Sequence, residues 1–356
     1  MALDDTADTI FPLPGSIPKA WDPEELRRCG AVETCLRAPF DLEGEVHPVF
    51  CNWDMSGDGD AGEGLMLREL HQPLLLASRL LEGAGLPWLS EFLIDDIFGA
   101  SYPGLPPPAR PDSHHGEVDT ESDINSICQS RTPAVIVRHH RAAWATPRLV
   151  RTWLDATARE LRTTLPRCVR WQLDGAMFAA FGWVGYTCRH LLRGGTGGVD
   201  SNVDHPDVIR DADAEARRRG VPGRSLTVLV MREYAARLCA LRQLGQFGGE
   251  EYMLTAFMLA VTVLHELGHA IYWKDLRAAN RCMNEPYFGG DLEMELGDSF
   301  IASIFGGWTP VPIEHTHDEF RRWGTFERGL AWRQHLTWDF HRTRPRYRAH
   351  YSIPVK

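Results

Sequence analysis

The longest apolar stretch of the chain lies in its last third and predicts a buried helix. Residues 253–264 are almost entirely apolar, and 270–273 resume the pattern after a short polar interruption. Acidic residues precede this stretch in 248–251, and Lys274 and Arg277 follow it, as the dipole of a helix favours. The run before the interruption falls well short of the about 20 apolar residues that a membrane span needs. A core helix is therefore predicted.

Shorter patterns predict further helices and two strands. Leucines at helical spacing, or short amphipathic runs, indicate the helices, and runs of β-branched and aliphatic residues indicate the strands. The predicted helices are 65–81, 87–98, 149–165 and 207–219. The predicted strands are 134–137 and 226–231. This mixture of elements predicts an α+β fold class.

One compositional change along the chain indicates a division into parts. Residues 104–125 are rich in Pro, Asp, Ser and Glu, which is typical of a linker or a disordered loop. We therefore expect a helical N-terminal part over 1–103 and a second part over 126–356. No internal repeat is apparent.

Composition narrows the function classes. The chain has 356 residues, of which 44% are hydrophobic and 24% charged, as in soluble globular proteins. Its net charge of −10 argues against a nucleic-acid partner or an anionic membrane surface. The acidic start lacks the pattern of a secretory signal, and the eight cysteines form no CxxC pair. These features predict a cytoplasmic protein with reduced thiols.

The polar interruption of the apolar helix reads HELGH and carries the main chemical signal. His265 and His269 are one helical turn apart, so both imidazoles can reach one metal ion. Glu266 lies about 100° round the helix, where it can contact a metal-bound water but is badly placed as a ligand. Ionisable groups inside an apolar helix are costly unless they are compensated. The motif therefore predicts a Zn²⁺ site, in preference to a pair of core histidines.

A second helix is predicted over 289–307. Asp291 is the expected N-cap, Gly306 and Gly307 are expected to end the helix, and Pro310 prevents its continuation. Within this helix Glu295 stands between apolar neighbours, where an unpaired carboxylate would be costly.

A catalytic zinc usually has three protein ligands and a water. Glu295 is the first choice for the third ligand, followed by Glu293 and Glu285. Asp275 stands six residues after the second histidine, where metzincins place a ligand, although the glycine that lets their chain turn is absent here. Asp298 follows Glu295 by about one turn and is expected either to orient a ligand histidine from behind or to lie on the helix surface.

Taken together, these residues resemble those of gluzincin-type zinc metallopeptidases, which take a glutamate from a second, downstream helix. They are more similar to a set of uncharacterised fungal HExxH proteins, through the ELG segment 295–297 and the FGG segment 305–307. The resemblance covers about 253–307. It implies that 126–356 forms a zincin-like, metalloprotease-like catalytic region.

The expected function is a zinc-dependent hydrolase, most simply a metallopeptidase in which Glu266 takes a proton from a zinc-activated water. The strand 226–231 could hold an extended peptide by edge pairing. One alternative is a zinc hydrolase or lyase that acts on a small biosynthetic metabolite, and another is a non-catalytic zinc-binding protein. The candidates for stabilising an oxyanion are Tyr287, His315, His317 and Tyr351.

Overall fold

A computed structural model describes residues 42–54, 61–93, 135–136, 146–175, 183–189, 206–218, 220, 223–274, 285, 287–288, 291, 295–312, 330–335 and 350–353. These residues form helices and a few strands, so the chain has a mixed α and β structure. The predicted linker 104–125 lies outside the described residues.

The helices are named here in chain order. They are α1 (Ala61–Glu69), α2 (His71–Leu80), α3 (Leu86–Leu93), α4 (Pro147–Thr163), α5 (Leu165–Cys168), α6 (Pro206–Arg218), α7 (Arg232–Gln243), α8 (Glu250–Trp273) and α9 (Leu296–Ile304). A 3₁₀ turn spans Pro48–Phe50, and a π-helical turn over Leu81–Gly85 joins α2 to α3.

The strands are β1 (Val135–Ile136), β2 (Val169–Asp174), β3 (Gly185–Cys188), β4 (Leu226–Met231), β5 (Tyr287–Phe288), β6 (Trp308–Pro312), β7 (Leu330–Gln334) and β8 (His350–Ile353). They form three sheets with the orders β1-β5, β2-β4-β3 and β6-β7-β8. The first sheet is parallel and the third antiparallel, whereas in the second β4 pairs parallel with β2 and antiparallel with β3.

The predicted strand 226–231 is confirmed as β4, but its predicted role as an edge strand is wrong. Every residue of β4 is buried, and both of its edges are hydrogen-bonded, to β2 and to β3. An uninterrupted run of apolar residues is typical of a strand covered on both faces, which favours the centre of a sheet. In the described part of this sheet, β3 is an edge strand, and it contacts α8.

Helix α8 is the centre of the fold, as its apolar pattern predicts. It packs against α2, α7, α9 and the strands β3 and β4. Most of its buried apolar residues belong to one hydrophobic cluster that also contains residues of α2 and β4, whereas Tyr252 and Ala256 pack with residues of α7. By length and composition α8 could cross a membrane, but 78% of its most apolar window is buried inside the protein. Burial by protein on nearly all sides explains why the helix is apolar all round.

The predicted helix 65–81 is interrupted at Leu70. Helix α1 ends at Glu69 and α2 begins at His71. Pro73 explains the break, because a proline cannot donate to the carbonyl four residues earlier and its ring clashes with that carbonyl, here that of Glu69. The leucine spacing predicted the helical conformation but missed this interruption.

The helix predicted over 289–307 begins later than expected. Helix α9 starts at Leu296, and Glu295 is its N-cap residue, so the prediction of Asp291 as N-cap is wrong. Asp291 is instead a buried residue whose Oδ1 lies 3.1 Å from Nε2 of His335. The end is as predicted, since Gly306 and Gly307 follow α9 with φ angles of 64° and 98°.

Candidate metal centre

Two imidazoles converge on one face of α8. His265 and His269 are one turn apart, and their Nε2 atoms lie 3.1 Å from each other. The two rings are nearly perpendicular, with centroids 4.8 Å apart and an interplanar angle of 73°. Both side chains are mostly covered, at 27% and 15% exposure. The helix thus brings together two nitrogen atoms that could bind one metal ion.

Glu295 completes a set of three ligand atoms. Its Oε1 lies 3.3 Å from Nε2 of His265 and 2.7 Å from Nε2 of His269. Ligands at about 2.0–2.1 Å in tetrahedral directions around zinc are about 3.3 Å from one another. Two of the three separations match this value and the third is shorter. The three atoms are therefore spaced as ligands of a single small cation are.

The surroundings of Glu295 also fit a cation. Its Oε1 is buried, yet no donor in the described part of the chain has hydrogen-bond geometry toward it, although His269 Nε2 is close. A buried carboxylate oxygen without a hydrogen bond is unfavourable unless a charge compensates it. The side chain as a whole is 40% exposed, which corrects the expectation that Glu295 is a buried acid inside the helix. A zinc ion fits this donor set, two nitrogens and one oxygen.

Two glycines allow α9 to come close enough to supply Glu295. A Cβ on Gly268 would lie 2.9 Å from the carbonyl oxygen of Leu296 and 3.1 Å from Cα of Gly297. A Cβ on Gly297 would lie 2.6 Å from the His265 ring. Any side chain at either position would push the two helices apart or displace the imidazole. The G of HELGH and the G of ELG therefore share one role, the close approach of α8 and α9.

Each histidine is backed by a carboxylate on its Nδ1 side. Asp298 Oδ1 lies 3.4 Å from Nδ1 of His265, and Glu285 Oε1 lies 2.7 Å from Nδ1 of His269. The other oxygen of Glu285 accepts a hydrogen bond from the backbone N–H of Leu296, at 2.9 Å. Carboxylates in such positions fix the tautomer and the orientation of metal-binding histidines. Of the two alternatives for Asp298, its position behind His265 favours the orienting role over a place on the helix surface.

Glu285 was an alternative for the third ligand, and it also forms a possible metal-binding group with His269 and Glu295. A second possible group combines His265 and His269 with Glu266. We favour the set of His265, His269 and Glu295, because Glu285 faces Nδ1 of His269 whereas Glu295 faces Nε2. One imidazole cannot direct both nitrogens at the same ion. Only the Nε2 side also includes His265.

The carboxylates around His265 and His269 favour positive charge at the two imidazoles. Burial alone would lower the pKa of His265, but the adjoining Asp298 and Glu295 carboxylates outweigh burial and raise the pKa to about 10. Burial likewise opposes the rise for His269, whose pKa Glu285 and Glu295 hold well above its usual range. The two histidines lower the pKa of Glu295 against the effect of burial. His265 likewise lowers the pKa of Asp298 against the effect of burial, so a metal cation could take the place of the imidazole protons beside Glu295 and Asp298.

Glu266 occupies a different environment on the side of β3. Its side chain is buried, and its Oε2 accepts a hydrogen bond from Oγ1 of Thr187 at 2.9 Å. A Cβ on Gly185 would lie 2.6 Å from Oε1 of Glu266, so only glycine leaves room for the carboxylate there. Burial raises the pKa of Glu266, although the two neighbouring histidines oppose the rise. A carboxyl group with a raised pKa is suited to accept a proton.

The structure describes only some of the other predicted site residues. Asp275, Glu293, His315 and His317 lie outside the described residues, while Tyr287 and Tyr351 lie in β5 and β8. The residues that the sequence did not indicate are Gly185, Thr187 and Arg333. Each contacts the centre from a strand far away in the chain, and no local motif marks them.

Comparison of the chain with known protein families, with curated proteins and with solved structures finds no match.

Proposed function

We propose that the protein is a zinc-dependent hydrolase, and specifically a metallopeptidase with a gluzincin-like ligand set. One observation carries the proposal. Nε2 of His265, Nε2 of His269 and Oε1 of Glu295 lie within 3.3 Å of one another in pairs, next to the buried carboxylate of Glu266. Three protein ligands leave a coordination position for water, which is the composition of a catalytic zinc site and not of a structural one.

Glu266 is assigned the role of general base. Thr187 holds Oε2 by a hydrogen bond, while Oε1 lies in the space that Gly185 leaves. We assign to Oε1 the proton that leaves the attacking water and later passes to the leaving amine. A zinc ion bound by the three ligands would polarise the scissile carbonyl and lower the pKa of that water. The raised pKa of Glu266 makes it a stronger base than an exposed glutamate.

A peptide substrate is favoured by the position of β3. Its residues Gly185 and Thr187 face Glu266, because alternate residues of a strand point to the same side. Within the described structure β3 pairs with β4 on one side, so its other edge is directed away from the sheet. An extended peptide could add to such an edge by backbone hydrogen bonds. The scissile bond would then lie beside the base.

The helix arrangement supports a zincin-like fold for this region. Helix α8 packs on the sheet that contains β3 and β4, and a second helix, α9, brings a glutamate to the two histidines. This is the manner in which gluzincins obtain their third ligand. The proposed likeness to gluzincins therefore rests on the arrangement of α8 and α9 as well as on the HExxH motif.

The test is a cleavage assay with zinc-loaded protein. A mixed peptide library and a panel of small amides and esters are incubated with the wild type, with chelator-treated protein and with Glu266→Gln. We expect cleavage of peptides that disappears on chelation, returns with zinc, and falls by about two or more orders of magnitude in Glu266→Gln.

Cleavage confined to the small amides and esters would replace the peptidase by a zinc enzyme of small metabolites. Zinc-independent cleavage, or full activity of a zinc-loaded Glu266→Gln protein, would contradict the mechanism. No turnover of either class by the fully zinc-loaded wild type would favour a non-catalytic zinc-binding protein.

A further inference from the structure

The strand β7 reaches the candidate metal centre through one side chain, Arg333. Its Nη2 contacts Oδ2 of Asp298, and the other oxygen of Asp298 lies 3.4 Å from Nδ1 of His265. The Asp298 carboxylate therefore stands between a guanidinium and a proposed zinc ligand. Arg333 is 35 residues from Asp298 in sequence and belongs to the β6-β7-β8 sheet, whereas Asp298 lies on α9.

Arg333 is itself held in place by the sheet. Its Nε donates to Oγ1 of Thr309 at 3.4 Å, and Thr309 is its register partner on β6. The Thr309 hydroxyl in turn lies 3.2 Å from the carbonyl oxygen of Arg333. Thr309 is buried, and the Arg333 side chain is 28% exposed. A guanidinium held through two of its nitrogens differs from that of a mobile surface arginine, and it can orient the carboxylate that it contacts.

The same stretch of chain touches the ligand region a second time. His335, which directly follows β7, has its Nε2 3.1 Å from Oδ1 of Asp291, and both residues are buried. The backbone N–H of His335 also donates to the carbonyl oxygen of Gly307, just beyond α9. Residues 333–335 thus contact the chain on both sides of Glu295, at Asp291 and at Asp298. This arrangement ties the third ligand and its neighbour to the β6-β7-β8 sheet.

We propose that Arg333 is a positioning residue of the metal centre. It holds Asp298 against His265, so the affinity for zinc depends on an arginine of the β6-β7-β8 sheet. The inference rests on the proposed zinc site. Partners that orient a metal ligand from behind change metal affinity about tenfold to hundredfold when they are removed. Arg333 acts through Asp298, so its effect must vanish when Asp298 is absent.

The experiment measures the zinc dissociation constant of the full chain by competition with a chromophoric chelator. The variants are Arg333→Met, Arg333→Lys, Asp298→Ala and the double variant Arg333→Met with Asp298→Ala. Arg170→Met is the matched control, because Arg170 is also a strand residue, is 35% exposed and pairs with a carboxylate, that of Asp54, at 3.0 Å. Thermal unfolding of each metal-free protein reports on folding.

We expect zinc binding about tenfold weaker in Arg333→Met, partial recovery in Arg333→Lys and no change in Arg170→Met. In the background of Asp298→Ala, adding Arg333→Met should change the affinity by less than about twofold, the non-additivity of residues that act as a unit. A purely structural role of Arg333 would lower the unfolding temperature without this coupling.

Wild-type affinity in Arg333→Met would overturn the inference, as would a loss of affinity that is equal with and without Asp298, or that Arg170→Met reproduces. Failure of the proposed zinc site itself gives a different result. In that case the wild type binds no stoichiometric zinc, and no variant can be compared with it.

Discussion

The two sides of the His265–His269 pair are built from different chemistry. On the side of α9 and β7, the carboxylates of Glu295, Glu285 and Asp298 surround the imidazoles and raise their pKa values. On the side of β3, Glu266 meets one hydroxyl and a glycine, and burial dominates its pKa.

This difference separates two tasks that one helical turn must perform. Carboxylates close to the imidazoles would attract and hold a cation, so under the proposed function the α9 side would set the affinity for the metal. A carboxyl group that is buried and weakly solvated is a better proton acceptor, so under the proposed function the β3 side would govern the proton transfer. Changes on the first side should therefore alter metal binding, whereas changes on the second should alter turnover at constant metal content.

The largest effect is expected from the imidazoles themselves. Replacement of both His265 and His269 by alanine removes two of the three ligands, so zinc content should fall from about one equivalent per chain to background. Metal analysis of protein purified without added metal gives the answer, and circular dichroism controls for folding. A folded double variant that retains stoichiometric zinc would disprove the site.

The third ligand should rank next. Glu295→Ala removes the oxygen nearest both Nε2 atoms, and we expect it to reduce zinc content far more than Glu293→Ala or Asp275→Ala. The three variants should be compared by the same metal analysis. Loss of zinc in Asp275→Ala alone would replace the gluzincin-like ligand set by a metzincin-like one.

The carboxylates behind the histidines should have an intermediate effect. Glu285→Gln and Asp298→Ala leave all three ligands in place but release one imidazole each, so zinc affinity should fall about tenfold to hundredfold. Competition titration with a chelator measures this change. Turnover of the fully loaded variants should stay closer to the wild type than that of Glu266→Gln. An unchanged dissociation constant in both variants would contradict the role assigned to the α9 side.

The pH dependence of zinc binding should report the same carboxylates. Zinc must displace the proton of His265, whose pKa is raised to about 10 in the metal-free protein. The apparent affinity should therefore strengthen by about tenfold per pH unit for each proton released, and continue to do so well above neutrality. Histidines with an ordinary pKa of about 6.5 would give an affinity that levels off near neutral pH. Competition titrations across this range distinguish the two.

The smallest effect is expected at Thr187. Thr187→Val keeps the shape of the side chain but removes the hydrogen bond to Glu266, so turnover should fall about tenfold while zinc affinity is unchanged. Thr187→Ser restores the hydroxyl and should recover most of the activity. The comparison fails if Thr187→Val weakens zinc binding as much as Asp298→Ala does.

Local pattern was enough to predict the parts of the site that lie within one element. The motif on α8 placed two histidines and a glutamate by helical geometry alone, and the apolar run predicted that α8 is buried. The strand 226–231 was likewise predicted at the observed bounds of β4. The structure places Glu295 beside the histidines, but as the N-cap of α9 and not as the interior residue that the pattern predicted.

What the tertiary structure alone decided is how distant segments meet at that turn. Hydrophobic periodicity reports burial, and it does not report which strand lies at an edge or which side chain crosses from another layer. The position of β3 beside Glu266, the pairing of Glu285 with His269 and the contact of Arg333 with Asp298 all depend on chain packing. The sequence by itself determined that His265 and His269 lie together on one face of the helical turn, because residues four apart on a helix share a face whatever surrounds them. Only the fold determined what orients them, because those contacts join residues that are far apart in the chain.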